Sequence, residues 1–174
     1  SNEEHALILE DDCMLRVDVP RRNEAFLPPA NYDICILTCG LGQFHDKPDT
    51  RDALPVYKQV GDILANVPLD FNNPGSYGYI LSRAAAKQLI ERVDADGFFG
   101  DVDIRMLAYG LPREALSGIS EASFVRKALD AHFRVIADRP CLAVYSCAPC
   151  LVMPGRIGSV RHRSNLALHA HETL

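Results

Sequence analysis

Short apolar runs alternate along the chain with polar segments that are rich in proline and glycine. The runs "ALILE" (6–10) and "YDICILTC" (32–39) predict two strands buried on both faces of a parallel sheet. A third strand is predicted over "YGYIL" (77–81), directly after a turn-forming segment. The runs "RVIA" (134–137) and "CLAVYS" (141–146) predict two more strands on either side of a turn.

Three other segments have the 3.6-residue apolar period of helices. The first begins after Ser82, a favourable N-cap residue, and the second covers residues 100–110. The third covers residues 120–133, with Ser120 as the predicted cap. Its predicted apolar face consists of Phe124, Val125, Ala128, Leu129 and His132.

The alternation of strands and helices predicts one α/β domain with a mainly parallel or mixed sheet. We expect this domain to span residues 1–165, with residues 166–174 as a tail. The polar, turn-rich residues 42–55 are expected to form a loop.

Composition excludes several classes of protein. The 48% hydrophobic and 24% charged residues are typical of a soluble globular domain. The net charge of −5 argues against a nucleic-acid binder, whose affinity comes from basic residues facing phosphates. The sequence has no apolar run near the ~20 residues that cross a bilayer and no signal-peptide pattern, so a cytoplasmic protein is expected.

Cysteines and histidines offer two weaker alternatives. The segment "CAPC" (147–150) has the spacing of a thioredoxin-like redox pair, but an extended, proline-containing segment follows it instead of a helix. A zinc site at the same pair lacks a second matching pair, and His169 and His171 lie in the predicted tail. Reduced structural thiols are therefore the expectation for the six cysteines.

Three consecutive acids, Glu10, Asp11 and Asp12, follow the first predicted strand. Ligands of open α/β sheets gather beyond the carboxyl ends of strands, and carboxylate oxygens suit hard divalent cations. A solvated turn or a helix cap is the structural alternative, and on the triplet alone this alternative is favoured over a metal site.

Five segments, taken in order, resemble the glycosyltransferase family 25 proteins. This family includes lipopolysaccharide and lipooligosaccharide sugar transferases and the collagen galactosyltransferases. The matching segments are "HALILEDD" (5–12), "YDICILTC" (32–39), "GSYGYILSRAAAKQLIE" (75–91), "DVDIRML" (101–107) and "APCLVMPGRIGSVR" (148–161).

The resemblance implies a GT-A-like nucleotide-sugar transferase, usually dependent on UDP-galactose and inverting at the anomeric carbon. It implies Mn²⁺ or Mg²⁺ as cofactor, with Asp12 as the first metal ligand and Glu10 as the second. Members of the family carry a further segment before the acidic motif, so this chain is expected to lack the N-terminal part of the fold. A sheet edge exposed in this way favours a homodimer.

Inverting sugar transfer also needs a base that takes the proton from the acceptor hydroxyl. The resemblance favours Asp103 for this role, with Asp101 as the second candidate. The alternative is that either carboxylate only caps the helix that follows, which aspartate does well.

Two groups of residues are candidates for substrate binding. Ser76, Tyr77 and Tyr79 offer hydroxyls and rings suited to a sugar, although a simple turn explains their segment equally well. Arg156 and Arg161 are candidates for the diphosphate or an anionic acceptor, with a solvated basic tail as the alternative. The implied partners are a UDP-sugar donor and a glycan or lipid-linked oligosaccharide acceptor, which suits a peripheral position at the inner face of a membrane.

Overall fold

A computed structural model describes residues 4–11, 13–15, 28–38, 56–64, 77–98, 100–148 and 150–154. The strands are β1 (His5–Leu9), β2 (Cys13–Leu15), β3 (Ile34–Ile36), β4 (Val56–Gln59), β5 (Gly78–Ser82), β6 (Val144–Ala148) and β7 (Val152–Pro154). The helices are α1 (Val60–Leu64), α2 (Arg83–Asp96), α3 (Val102–Gly110) and α4 (Phe124–Phe133), with a 3₁₀ helix at Arg113–Gly118. Within the described ranges, no helix is long and apolar enough to cross a membrane.

Five strands form one mixed sheet in the order β1-β5-β3-β6-β4, and β2 pairs with β7 in a smaller sheet. Only β3 and β6 are parallel neighbours among the described strands, because β5 runs antiparallel to both β1 and β3. β4 is antiparallel to β6. The prediction of an α/β fold with a mixed sheet is confirmed, and the mainly parallel alternative is wrong.

The central strand β3 carries core residues on both faces of the sheet because its side chains alternate. Ile34 and Ile36 pack with the helices, and we call this side the helix face. Cys35 and Leu37 pack on the opposite face, against the segment that contains Leu151 and Val152. This strand was predicted as buried, and the prediction is confirmed.

β1 was predicted as a strand buried on both faces, and only the first part of that prediction is correct. The segment is a strand, but Leu7 and Leu9 are exposed. Among the described residues β1 pairs only with β5, so it forms an edge of the sheet. An apolar run thus predicts a strand without showing how many neighbours cover it.

The predicted helices are present, with one start displaced. The Ser82 hydroxyl accepts a hydrogen bond of 3.0 Å from the Ala85 amide, which confirms the predicted cap of α2. Ser120 does not cap α4, which begins at Phe124; its hydroxyl accepts from the Ala122 amide in the preceding turn. Phe124 itself is exposed, contrary to its predicted place on the buried face.

Two segments differ from the predicted strand pattern. Residues 134–136 form a turn after α4, because the amides of Val135 and Ile136 donate to the carbonyl of His132. The next strand begins at Val144, three residues later than predicted. The sequence pattern also gave no indication of β4 and α1. The predicted loop at 42–55 lies outside the described residues.

Helix α3 packs closely on β6 through Gly110. A Cβ atom at this position would lie 2.8 Å from the Cβ of Val144, and closer still to its Cγ2. Val144 is fully enclosed in the core on the helix face, so it has little room to move. Glycine here therefore sets the distance between α3 and the sheet.

We predict that Gly110→Ala lowers the free energy of unfolding by about 1–3 kcal/mol, the usual cost of overpacking a core. Gly61→Ala in α1 is the matched control, because the nearest atom to its new Cβ is 3.8 Å away. That control is expected to be neutral or stabilising by up to about 1 kcal/mol, since alanine favours helix. Urea denaturation measures both variants, and equal stabilities would contradict the packing role of Gly110.

Candidate functional site

The carboxyl ends of β1, β3 and β6 lie at one end of the sheet, because these three strands run in the same direction. Glu10 directly follows β1 at this end. Its amide donates a 2.9 Å hydrogen bond to the carbonyl of Tyr77, the residue before β5. The strand pairing therefore places a predicted metal ligand beside a predicted substrate-binding residue.

Tyr79 lies on the helix face of β5, between Ile8 of β1 and Ile36 of β3. Burial raises the pKa of its phenol, and the charges of Asp103 and Glu10 raise it further. The negative charges of both carboxylates therefore oppose ionisation of the same phenol. Three residues predicted from three separate segments are brought into one electrostatic environment.

The two candidate bases occupy different surroundings. Asp103 is half-buried in the first turn of α3, where its charge acts on Tyr79. Asp101 is exposed at the N-cap position of α3 and makes no side-chain capping hydrogen bond. Its charge raises the pKa of His132. The structure therefore separates Asp103, which faces the candidate site, from Asp101, which faces the end of α4.

Four predicted site residues, Asp12, Ser76, Arg156 and Arg161, lie outside the described residues. Within the described part of the chain, no three His, Cys, Asp or Glu side chains form a metal-binding group. Mg²⁺ is commonly held by one or two carboxylates together with substrate phosphates. Glu10 is exposed, and its charge raises the pKa of Tyr79 together with that of Asp103. An exposed carboxylate of this kind suits a site in which the protein supplies only one or two ligands.

A buried polar network that the sequence pattern did not predict holds α3 in place. Arg105 donates to the Tyr109 hydroxyl at 3.1 Å and to the Gly97 carbonyl at 2.6 Å. Tyr109 in turn donates to Asp96, which also forms a 3.0 Å ion pair with Arg139. The network joins α3 to the end of α2 and so fixes the position of Asp103. The sequence feature that could have indicated this network is the four-residue spacing of Arg105 and Tyr109, which places the two side chains next to each other on a helix.

The "CAPC" segment lacks the surroundings of a redox pair. Cys147 lies in β6, Cys150 is buried, and the strand β7 follows them instead of a helix. The five described cysteines form no disulfide, and the three buried ones, Cys35, Cys147 and Cys150, behave as small apolar residues.

Comparisons of the chain with protein-family models, with curated proteins and with solved structures found no match. The relation to glycosyltransferase family 25 therefore rests on the five sequence segments and stays a prediction. The structure adds only the positions of those described residues that the resemblance picks out.

We predict that Glu10→Gln and Asp103→Asn each lower the pKa of Tyr79, because each removes a negative charge that opposes ionisation of the phenol. Asp101→Asn is the matched control and should leave that pKa unchanged. NMR titration of tyrosine labelled at the ring carbon Cζ measures the effect, with Tyr79→Phe to assign the signal. An unchanged pKa in both site variants would show that the three side chains are not neighbours.

A second prediction concerns His132, which is buried at the end of α4. Burial and the charge of Arg105 lower its pKa below the ordinary 6.5, whereas Asp101 raises it. As the pH falls below 6.5 the unfolded chain binds the proton first, so the free energy of unfolding decreases.

Urea midpoints at about pH 7.5 and about pH 5.5 test this behaviour, compared between the wild type and His132→Gln. The wild type is expected to lose more stability than the variant between the two values. Equal losses of stability in the two proteins would show that His132 does not cause the pH dependence.

Proposed function

We propose that this protein transfers a hexose from a nucleotide sugar to a hydroxyl group of a glycan acceptor. The observation that supports the proposal is the strand pairing, which sets Glu10 beside Tyr77 and places Tyr79 between β1 and β3. The charges of Glu10 and Asp103 both raise the pKa of Tyr79. Glu10 and Asp103 were selected from the family resemblance as metal ligand and base, and Tyr79 from its ring and hydroxyl as a sugar-binding residue. Tyr79 pairs with Ile8 and Ile36 near the carboxyl ends of β1 and β3, where ligands of open α/β sheets gather, and this supports the proposal.

Asp103 is the proposed base. Its carboxylate accepts the proton of the acceptor hydroxyl while that oxygen attacks the anomeric carbon of the donor. Attack from the face opposite the leaving diphosphate inverts the configuration. The half-buried position of Asp103 and the network that anchors α3 would hold the carboxylate in a fixed place during attack.

Glu10 and Asp12 are the proposed ligands of Mn²⁺ or Mg²⁺. A divalent cation bound there would supply positive charge that stabilises the departing nucleotide diphosphate. The Glu10–Tyr77 backbone bond fixes the main chain of the acidic segment relative to β5. Arg156 and Arg161 are proposed to contact the diphosphate or an anionic acceptor.

The proposed donor is UDP-galactose and the proposed acceptor is a growing lipopolysaccharide or other cell-surface glycan. Tyr77 and Tyr79, with Ser76, are proposed to bind the sugar through rings and hydroxyls. This role suits a protein that works at the cytoplasmic side of a membrane, where nucleotide sugars are available.

We predict that UDP binds only in the presence of Mn²⁺ and that Asp12→Ala abolishes this binding. Calorimetric titrations of the protein with UDP, with and without Mn²⁺, measure it directly. The physical reason is that an acidic site repels a diphosphate unless a cation neutralises the charge. UDP binding that is unchanged both without Mn²⁺ and in Asp12→Ala would contradict the metal assignment.

Transfer from UDP-galactose to added acceptor glycans should fall by at least about a hundredfold in Asp103→Asn, the usual effect of losing a general base. Asp101→Asn is the control and should retain transfer. Intact UDP binding in Asp103→Asn would locate the defect in the chemical step. Metal-dependent UDP binding without transfer in the wild type would instead identify a non-catalytic, nucleotide-binding relative.

A further inference from the structure

A buried histidine lies beside the start of α3, the helix that carries Asp103. His132 is 4% exposed near the end of α4, on the apolar face that the sequence pattern predicted. Its neighbours on that helix, Leu129 and Phe133, are core residues, so the backbone that carries His132 is well held. The proposed reaction has so far given this residue no role.

Gly100 brings the backbone close to the ring of His132. The φ angle of Gly100 is +67°, in the left-handed region that favours glycine. A Cβ atom at Gly100 would lie 2.8 Å from Nε2 and 2.9 Å from Cε1 of His132, whereas carbon atoms pack at about 3.5–4.0 Å. Because His132 is buried, its ring has little room to turn away. A residue without a side chain is therefore needed between the ring and the start of α3.

Gly100 is also the residue directly before the N-cap of α3. Asp101 is the N-cap residue, and its carbonyl accepts a 3.0 Å hydrogen bond from the Arg105 amide, which closes the first turn. Asp103 lies within that turn, three residues after Gly100. A displacement of the chain at Gly100 therefore changes the direction in which α3 begins, and the carboxylate of Asp103 moves with it.

The contact at Gly100 is separate from the polar network that holds α3 to α2. In that network Arg105 donates to the Gly97 carbonyl at 2.6 Å and to the Tyr109 hydroxyl at 3.1 Å. The contact between Gly100 and His132 instead ties the start of α3 to α4. Helix α3 is thus supported by two different helices, and the support from α4 is close to Asp103 in the chain.

We propose that Gly100 and His132 are positioning residues of the transfer reaction. Their contact sets where α3 begins, and in this way holds the carboxylate of Asp103 in place for the acceptor hydroxyl. Neither residue touches a substrate in this scheme, and the inference rests on the proposed role of Asp103 as base. A displacement of about 1 Å in an active site can cost about a hundredfold in rate, so a contact of this kind affects the chemistry as well as the fold.

Kinetics of the full chain with Mn²⁺, UDP-galactose and an acceptor glycan test the proposal. We predict that Gly100→Ala lowers kcat about a hundredfold, because the new methyl group displaces the backbone from His132. The Kd for UDP should be unchanged, since the proposed metal ligands follow β1 and do not depend on α3. A folded Gly100→Ala protein with the wild-type kcat would overturn the proposal.

The variant His132→Ala separates this contact from backbone strain. It removes the ring that the methyl group of Gly100→Ala meets, so the double variant should regain at least about tenfold in kcat over Gly100→Ala. Gly97→Ala is the matched control: its φ is also positive, +77°, but no atom beyond its chain neighbours in the described residues lies within 4 Å of the new Cβ. Its effect should be the same with and without His132→Ala. Equal kcat values in Gly100→Ala and the double variant would overturn the contact.

The pKa of Tyr79 gives a second readout, which needs no activity. The charge of Asp103 raises this pKa, so a displaced carboxylate should lower it toward the value in Asp103→Asn. His132 is neutral at the pH where tyrosine ionises, because its own pKa lies below 6.5, so its removal takes no charge away from Tyr79. We predict a lower Tyr79 pKa, measured by NMR titration, in Gly100→Ala and also in His132→Ala.

The NMR measurement keeps the proposal testable if Gly100→Ala does not fold, because His132→Ala introduces no backbone strain. An unchanged Tyr79 pKa in His132→Ala would overturn the positioning role. A wild-type protein that transfers no sugar, but whose variants shift the Tyr79 pKa as predicted, would refute the transfer reaction and support the positioning of Asp103. A wild-type protein that transfers sugar, with no effect of either variant, would refute the positioning alone.

Discussion

The antiparallel pairing of β5 with strands on both sides is the interaction on which the candidate site depends. The pairing with β1 brings Glu10 to Tyr77, and the pairing with β3 places Tyr79 over the helix face. The end of the same strand supplies Ser82, which caps α2. A single shift of register on β5 would turn every one of its side chains to the other face and separate these groups.

The second support of the site comes from the polar network behind α3. Buried arginines are costly unless they are hydrogen-bonded, and Arg105 donates from Nε to the Tyr109 hydroxyl and from Nη2 to the Gly97 carbonyl. The network continues to Asp96, the last residue of α2, which also pairs with Arg139. Because β5 leads directly into α2 and α2 is tied to α3, the positions of Tyr79 and Asp103 are linked through one continuous path of chain and hydrogen bonds.

The sequence allowed prediction of the central strands and the longer helices, but not of the short elements or of which strands lie side by side. The cap at Ser82 and the end of α3 at Gly110 were readable, because caps and helix periods are local properties. The apolar run of β1 by itself did not indicate an edge position, since such a run is the same whether one or two strands flank it. Only the family resemblance led to the expectation of an exposed sheet edge. Likewise, Glu10 and Asp103 could be selected by residue type, but their approach to a common tyrosine depends on the fold.

Gly78 has a consequence for how the protein can evolve. Methyl groups of Leu9 in β1 and Val152 in β7 lie against this residue, so a side chain there would force both of these side chains to shift. We therefore expect a sequence history in which a change at this glycine requires simultaneous changes at Leu9 and Val152.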